Sequence, residues 1–215
     1  MKYVITNVLW LVLCTFALSA CGDESDLGAA TDADSGFTTD AGADEAEEGL
    51  SFSPLSAEGD VVAYVELNRY VGEWFEIATT PSRQQEACAG TKAIYTPEES
   101  RIGVTNQCFQ GSLEGRLQQV EGFAEVVDAD TNAKLAVNFF GFSAPYWVIA
   151  LDGSEGEELY NWAVVSGPSD SSLWLLSRTA QLDPADRAEI EAHLEERGVD
   201  TSRWLDTLQP ETSTP

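Results

Sequence analysis

Histidine occurs once in 215 residues, at position 193, and Lys and Arg together number 11 against 37 Asp and Glu. A lone His193 leaves Ser-His-Asp, Cys-His and multi-His metal arrangements without spare parts, so the familiar hydrolase and zinc chemistries would all have to run through it. The shortage of cations excludes phosphate-backbone binding, which needs clustered Lys and Arg to displace counterions. With a formal charge of −26, the chain is not expected to meet nucleic acid. Cysteine is scarce too, at four residues, and no D-x-D-x-D-G-x5-E string marks an EF-hand loop. Binding is therefore expected in preference to catalysis, with no metal and no cofactor. The length leaves room for one medium domain plus appendages.

What is present falls into zones. Residues 1–20 carry Lys2 ahead of the apolar run Val4–Ala20, ending in small residues, which is the layout of a secretory signal. A retained membrane helix would need about 20 apolar residues, and Thr6 and Asn7 interrupt this run. Leu18-Ser19-Ala20-Cys21 resembles the bacterial lipobox, which implies cleavage before Cys21 and lipidation of its thiol. Lipid chains on Cys21 would then attach the protein to a membrane, each buried CH₂ contributing about 0.8 kcal/mol. Gly22 rather than Asp follows the Cys, which favours the outer membrane of a bacterial envelope. Residues 21–60 hold 12 acidic and no basic residues among Gly, Ala, Ser and Thr. That composition buries too little apolar surface to offset its entropy and reads as a self-repelling spacer, with a cation-binding tail as the alternative.

The folded domain is expected over 61–209, with 210–215 as a tail. Five of the six Trp fall in it, alongside 24 acidic and 10 basic residues. Alternating or near-continuous apolar segments between turn residues predict eight strands: 74–79, 89–96, 101–109, 117–127, 133–139, 145–151, 160–166 and 172–178. Their spacing fits an antiparallel meander. Closed into a barrel, such a meander has no free edge and can enclose one small ligand. One helix follows, with Asp183 as N-cap, Pro184 at its first position and Gly198 at its stop, and it is expected to pack outside the barrel. His193 sits in it as an ordinary half-exposed side chain.

Cys14 leaves with the signal and Cys21 takes the lipid, so Cys88 and Cys108 remain as an even pair in an exported chain, which predicts a disulfide. A hairpin turning at Glu98 that pairs Tyr95 with Arg101 also sets Cys88 opposite Cys108. Closing that loop stabilises by about 3 kcal/mol in the chain-entropy model.

The stretch Asn68-Arg69-Tyr70-Val71-Gly72-Glu73-Trp74-Phe75-Glu76-Ile77-Ala78 resembles the opening G-x-W motif of the lipocalin family, especially its bacterial outer-membrane and apolipoprotein D-like members. Further stretches match in order: Ala93-Ile94-Tyr95, the run 143–152, the strand 160–168, and Leu173-Trp174-Leu175-Leu176-Ser177-Arg178-Thr179. Where many lipocalins have Thr-Asp-Tyr, this chain has Tyr160-Asn161-Trp162. The resemblance implies an all-β, eight-stranded antiparallel up-and-down barrel with one C-terminal helix outside, and a ligand cavity within. It sets Trp74 and Arg178 inward near the closed end as a structural pair, guanidinium on indole. The same inward parity, period two along each strand, makes Glu76, Ala78, Leu135, Val137, Phe139, Tyr146, Val148, Ala150, Val164, Trp174 and Leu176 the candidate ligand contacts, each equally able to fill core. An inward Glu76 must be paired or protonated: Arg69, Arg83 or Arg178 could pair it, or it could read a ligand headgroup. The expected partners are a small lipid ligand, a fatty acid or lysophospholipid, and a membrane through Cys21, with a homodimer left open. An isomerase or de-epoxidase on the same fold, or a plugged barrel serving as an interaction protein, are the alternatives.

Overall fold

The computed structural model describes residues 49–81, 88–156, 158–168 and 172–211. The signal region, Cys21, Arg83 and most of the acidic spacer lie outside them. Eight strands run in chain order: β1 (Gly72–Thr79), β2 (Cys88–Pro97), β3 (Ile102–Gln110), β4 (Leu117–Val126), β5 (Lys134–Phe139), β6 (Phe142–Leu151), β7 (Trp162–Ser166) and β8 (Leu173–Ser177). Each is antiparallel to its sequence neighbour, and β1 pairs with both β8 and β2, so the sheet closes into an up-and-down barrel. A short helix α1 (Leu67–Tyr70) precedes β1, and a two-residue strand β9 (Leu205–Asp206), absent from the sequence reading, adds to the outer edge of β1.

Helix α2 (Pro184–Glu196) forms where its end signals lie. Asp183 Oδ1 accepts from the Ala185 amide at 2.8 Å, and Gly198 takes a positive φ of 76° that ends the helix without a Cβ penalty. Ile190 and Leu194, one turn apart, are fully buried, each worth about 1.5–3 kcal/mol of removed apolar surface. The packed chain begins earlier than the expected boundary at Val61. Phe52 bridges Asp152, packs edge-on to Trp162 and stacks on His193 at 4.1 Å, and the Leu50 amide donates to Glu189 of α2. The apolar residues Leu50, Phe52 and Leu55, set within an acidic composition, are what anchor this segment.

The Cys88–Cys108 disulfide is present, with Cα atoms 5.6 Å apart. The register that suggested it is not. Pro97 pairs with Ile102 and Tyr95 with Val104, so Cys88 stands opposite Gln110 and reaches Cys108 diagonally on the same face. Two causes combine. The turn is tighter than expected, closed by Glu98 N donating to Arg101 O at 3.0 Å. A bulge between Ala89 and Lys92 then shifts the ladder, with Gly90 at φ 61°.

Candidate functional site

The closed end is built from α1 and the chain ends around it. Arg178 lies with Cζ 3.8 Å from the Trp74 ring centroid. Its guanidinium donates to the carbonyls of Tyr160, Glu73, Arg69 and Tyr70 at 2.8–3.2 Å. Trp74 Nε1 donates to Tyr70 O at 2.7 Å. Indole and guanidinium therefore form a plug whose polar edges are saturated by backbone. The departure at Tyr160-Asn161-Trp162 is accommodated by Asp152, whose buried carboxylate accepts from the Asn161 amide, the Asn161 side chain and Ser154 at 2.8–3.0 Å.

Above the plug, three phenols bond to one another: Tyr95 donates to Tyr146 at 2.8 Å, and Tyr146 and Tyr70 are 2.7 Å apart. Burial pushes the Tyr95 hydroxyl up to about 12 and raises the other two as well, so all three stay neutral.

On this floor opens a hollow whose empty space, open solvent included, is about 640 Å³. Glu76 of β1 lines it, with Thr91, Lys92, Ala93 and Tyr95 of β2 and Val104 and Asn106 of β3. Across the barrel stand Val137 and Phe139 of β5, Ala144, Pro145 and Tyr146 of β6, and Trp174 and Leu176 of β8. Gly122 of β4 has a specific use: a Cβ there would collide with the Asn138 carbonyl and the Phe139 ring, so its absence lets Phe139 close one wall.

Six of the expected contacts thus line the cavity: Glu76, Val137, Phe139, Tyr146, Trp174 and Leu176. Leu135 and Val148 are buried but lie off it. Leu135 pairs with Tyr146, and Val148 pairs with Val165, itself opposite Trp174, so both face the interior. Ala78, Ala150 and Val164 are on the other side of the sheet, which corrects the parity expected for them. Directly opposed residues share a face, and Ala78 opposes Leu175, which opposes Val164, which opposes Ala150. A bulge at Ile77 and another at Ile149 insert one residue each and reverse the alternation beyond them. For Val164 the inward positions are its neighbours Ala163 and Val165, opposite Leu176 and Trp174. The β2 and β3 contacts were missed although Ala93 and Tyr95 had been noted. Applying the period-two rule to those strands would have found Thr91, Val104 and Asn106.

Glu76 is 6 % exposed. Its Oε1 accepts from Thr207 Oγ1 at 2.6 Å, and desolvation pushes its carboxyl up to about 7. The pairing expected with Arg69 or Arg178 does not form, because Arg69 is drawn to the Glu158 and Ser154 carbonyls and Arg178 to the plug. Thr207 belongs to a C-terminal strap. Where β1 and β2 part beyond Phe75 and Lys92, β9 and the residues after it fill the seam. Gly90 N donates to Leu208 O at 2.6 Å, and Gln209 Nε2 bonds both the Glu76 and Thr91 carbonyls.

Residues 65–209 match the family model described as a lipocalin-like domain. The chain is 35 % identical over 161 residues to the outer membrane lipoprotein Blc of Escherichia coli strain K12, spanning 74 % of this chain and 88 % of that one. It is 32 % identical over 118 residues to apolipoprotein D of Macaca fascicularis, spanning 54 % and 61 %. Among solved structures, insecticyanin from the tobacco hornworm Manduca sexta superposes with a TM-score of 0.55 at 19 % identity, covering 76 % of this chain and 91 % of that one, which speaks to the fold alone. With its closed eight-stranded barrel and this match across the whole domain, the chain belongs to the lipocalin family.

Proposed function

We propose that this lipocalin holds one single-chain lipid, of the fatty acid or lysophospholipid class, with the aliphatic tail in the barrel, and carries it at a membrane to which Cys21 is lipid-anchored. Family membership supports a ligand-binding role. The observation that carries the finer reading is the cavity itself: mostly apolar walls above a neutral tyrosine floor, sealed below by Trp74 and Arg178. Such a hollow removes tail methylenes from water at about 0.8 kcal/mol each. Binding is favoured over turnover because Cys88 and Cys108 are bonded to each other and supply no thiol nucleophile, while among the described residues the wall offers one carboxyl rather than an acid pair. The location is argued from Leu18-Ser19-Ala20-Cys21 and from the similarity to a protein named as an outer membrane lipoprotein, which together favour the bacterial outer membrane.

Native mass spectrometry of the protein purified from its own membranes tests this reading. The expected result is a stoichiometric adduct of single-chain lipid mass and a diacylglyceryl group on Cys21. A ligand-free barrel that takes up no added lipid would refute the cavity assignment, and an unmodified Cys21 the anchor.

A further inference from the structure

We propose that the tip of the β5–β6 hairpin is a membrane-docking edge: Phe140 and Phe142 enter the interfacial layer of a zwitterionic lipid surface and bring the mouth of the hollow against it. This rests on the binding reading above and deepens it by naming the surface from which a single-chain lipid is collected. Trp74 and Arg178 close the end at which β1 begins and β8 finishes, so in an up-and-down barrel the β5–β6 turn lies at the opposite, open end. Phe139 of this hairpin lines the hollow and is 3 % exposed. Phe142 is directly opposite Phe139 and shares its inner face, yet it is 53 % exposed, and Phe140 in the turn is 61 % exposed. The apolar wall therefore continues past the guest space and out into water at this rim. Exposed apolar groups set together in this way mark interaction sites. Phe140 also takes a φ of 51° in a loop that prefers Asn, so the turn itself does not account for an aromatic there.

Charge selects the occupant. Residues 135–151, the whole hairpin after Lys134, hold no charged side chain and are the longest such run in the folded domain. The flanking charges, Lys134 at the start of β5 and Asp152 after the end of β6, both lie towards the plugged end. A second copy would set two strongly acidic chains against each other, and an anionic lipid surface would repel this chain as well. A zwitterionic surface does neither, and its interfacial layer accepts aromatic rings. The proposed anchor permits the orientation. The packed chain enters beside the plugged end, where Phe52 bridges Asp152. Residues 22–48 can nevertheless extend to about 90 Å, against about 34 Å along the ten residues of β6. An acyl group on Cys21 and the hairpin tip can thus enter the same bilayer. A guest leaving the lipid then meets Phe142 before it reaches Phe139, without crossing open water.

The test adds one indole to the full chain, either at the tip, Phe140→Trp, or at the plugged end, Val127→Trp, where Val127 after β4 is 68 % exposed. Each variant is mixed with an excess of phosphatidylcholine vesicles whose acyl chains carry bromine, which quenches indole emission on contact. The excess makes the result readable whether or not Cys21 is acylated. The expected result is that emission added at 140 falls by about half or more and that added at 127 by about a tenth or less. Phe142→Trp, a second tip position, is expected to behave as Phe140→Trp does. Replacing half of the phosphatidylcholine by phosphatidylglycerol at low salt should weaken the quenching at the tip. Equal quenching at the two ends, none at the tip, or stronger quenching on the anionic vesicles overturns the proposal. A dimer of the unaltered chain that is lost in Phe140→Asn also overturns it, assigning the tip to a second copy. Uptake of diphenylhexatriene, an uncharged dye without hydrogen-bonding groups, is measured separately on the unaltered chain. No uptake refutes the binding reading and leaves the docking standing, whereas normal uptake without quenching refutes the docking alone.

Discussion

Glu76 carries a cost that depends on pH. The folded protein holds its proton up to about pH 7, whereas the unfolded carboxyl releases it near 4.5. Its contribution is therefore fully present below pH 4.5 and is lost as pH rises towards 7, the unfolded chain shedding its proton first. Above neutrality the folded state bears a penalty of about 3 kcal/mol from this group. Glu76→Gln should accordingly match the unaltered protein in urea unfolding at about pH 5 and exceed it by about 2–3 kcal/mol at about pH 8. Arg178 works in the opposite sense: its charge is satisfied by four carbonyls and an indole face. Arg178→Met should destabilise by about 3 kcal/mol through the orphaned carbonyls, and Arg178→Lys should recover little, since a point charge cannot lie flat on Trp74 while bonding several carbonyls. Urea midpoints of the two variants decide this.

Among the elements, the β5–β6 hairpin has a two-residue loop in which both Phe140 and Gly141 have positive φ, 51° and 83°. Asn-Gly is the pair that such a loop prefers, and an exposed aromatic at positive φ is strained. Phe140→Asn is therefore expected to raise stability by about 1 kcal/mol, read as a higher urea midpoint with an unchanged slope. At the β1–β2 seam, Gln209→Ala frees the Glu76 and Thr91 carbonyls at a cost of about 1–2 kcal/mol and should speed amide exchange at Gly90, next to that seam. The sequence disclosed the strands, the caps of α2 and the Trp74–Arg178 plug because each rests on local signals: alternation, Asp183-Pro184 and Gly198, an indole and a guanidinium in family motifs. It did not disclose the faces of Ala78 and Ala150, since the bulges at Ile77 and Ile149 fall on isoleucines that look like ordinary strand residues. Gly90 was the one bulge with a visible sign, a glycine within a strand pattern. The strap was missed because a two-residue strand has no periodicity to detect.

At the scale of the whole molecule, a disulfide closes the wall between β2 and β3, a plug seals one end, and the strap closes the β1–β2 seam, so that a cavity persists inside a barrel of ordinary size. Reducing Cys88–Cys108, which spans 20 residues, should cost about 3 kcal/mol without opening the barrel. On the proposed anchoring at Cys21, Cys21→Ser should shift the protein from the membrane fraction to the soluble one, since it removes the thiol that would carry the acyl chains. In the proposed reading one apolar guest occupies the hollow bordered by Ala93 and Ala144. Titration with diphenylhexatriene of the unaltered protein and of Ala93→Trp and Ala144→Trp, each adding an indole to the wall, tests it most directly. One dye per chain, lost in both filled variants while their melting transitions stay cooperative, is the predicted result; dye binding that survives both fillings would place the guest on the surface and contradict it.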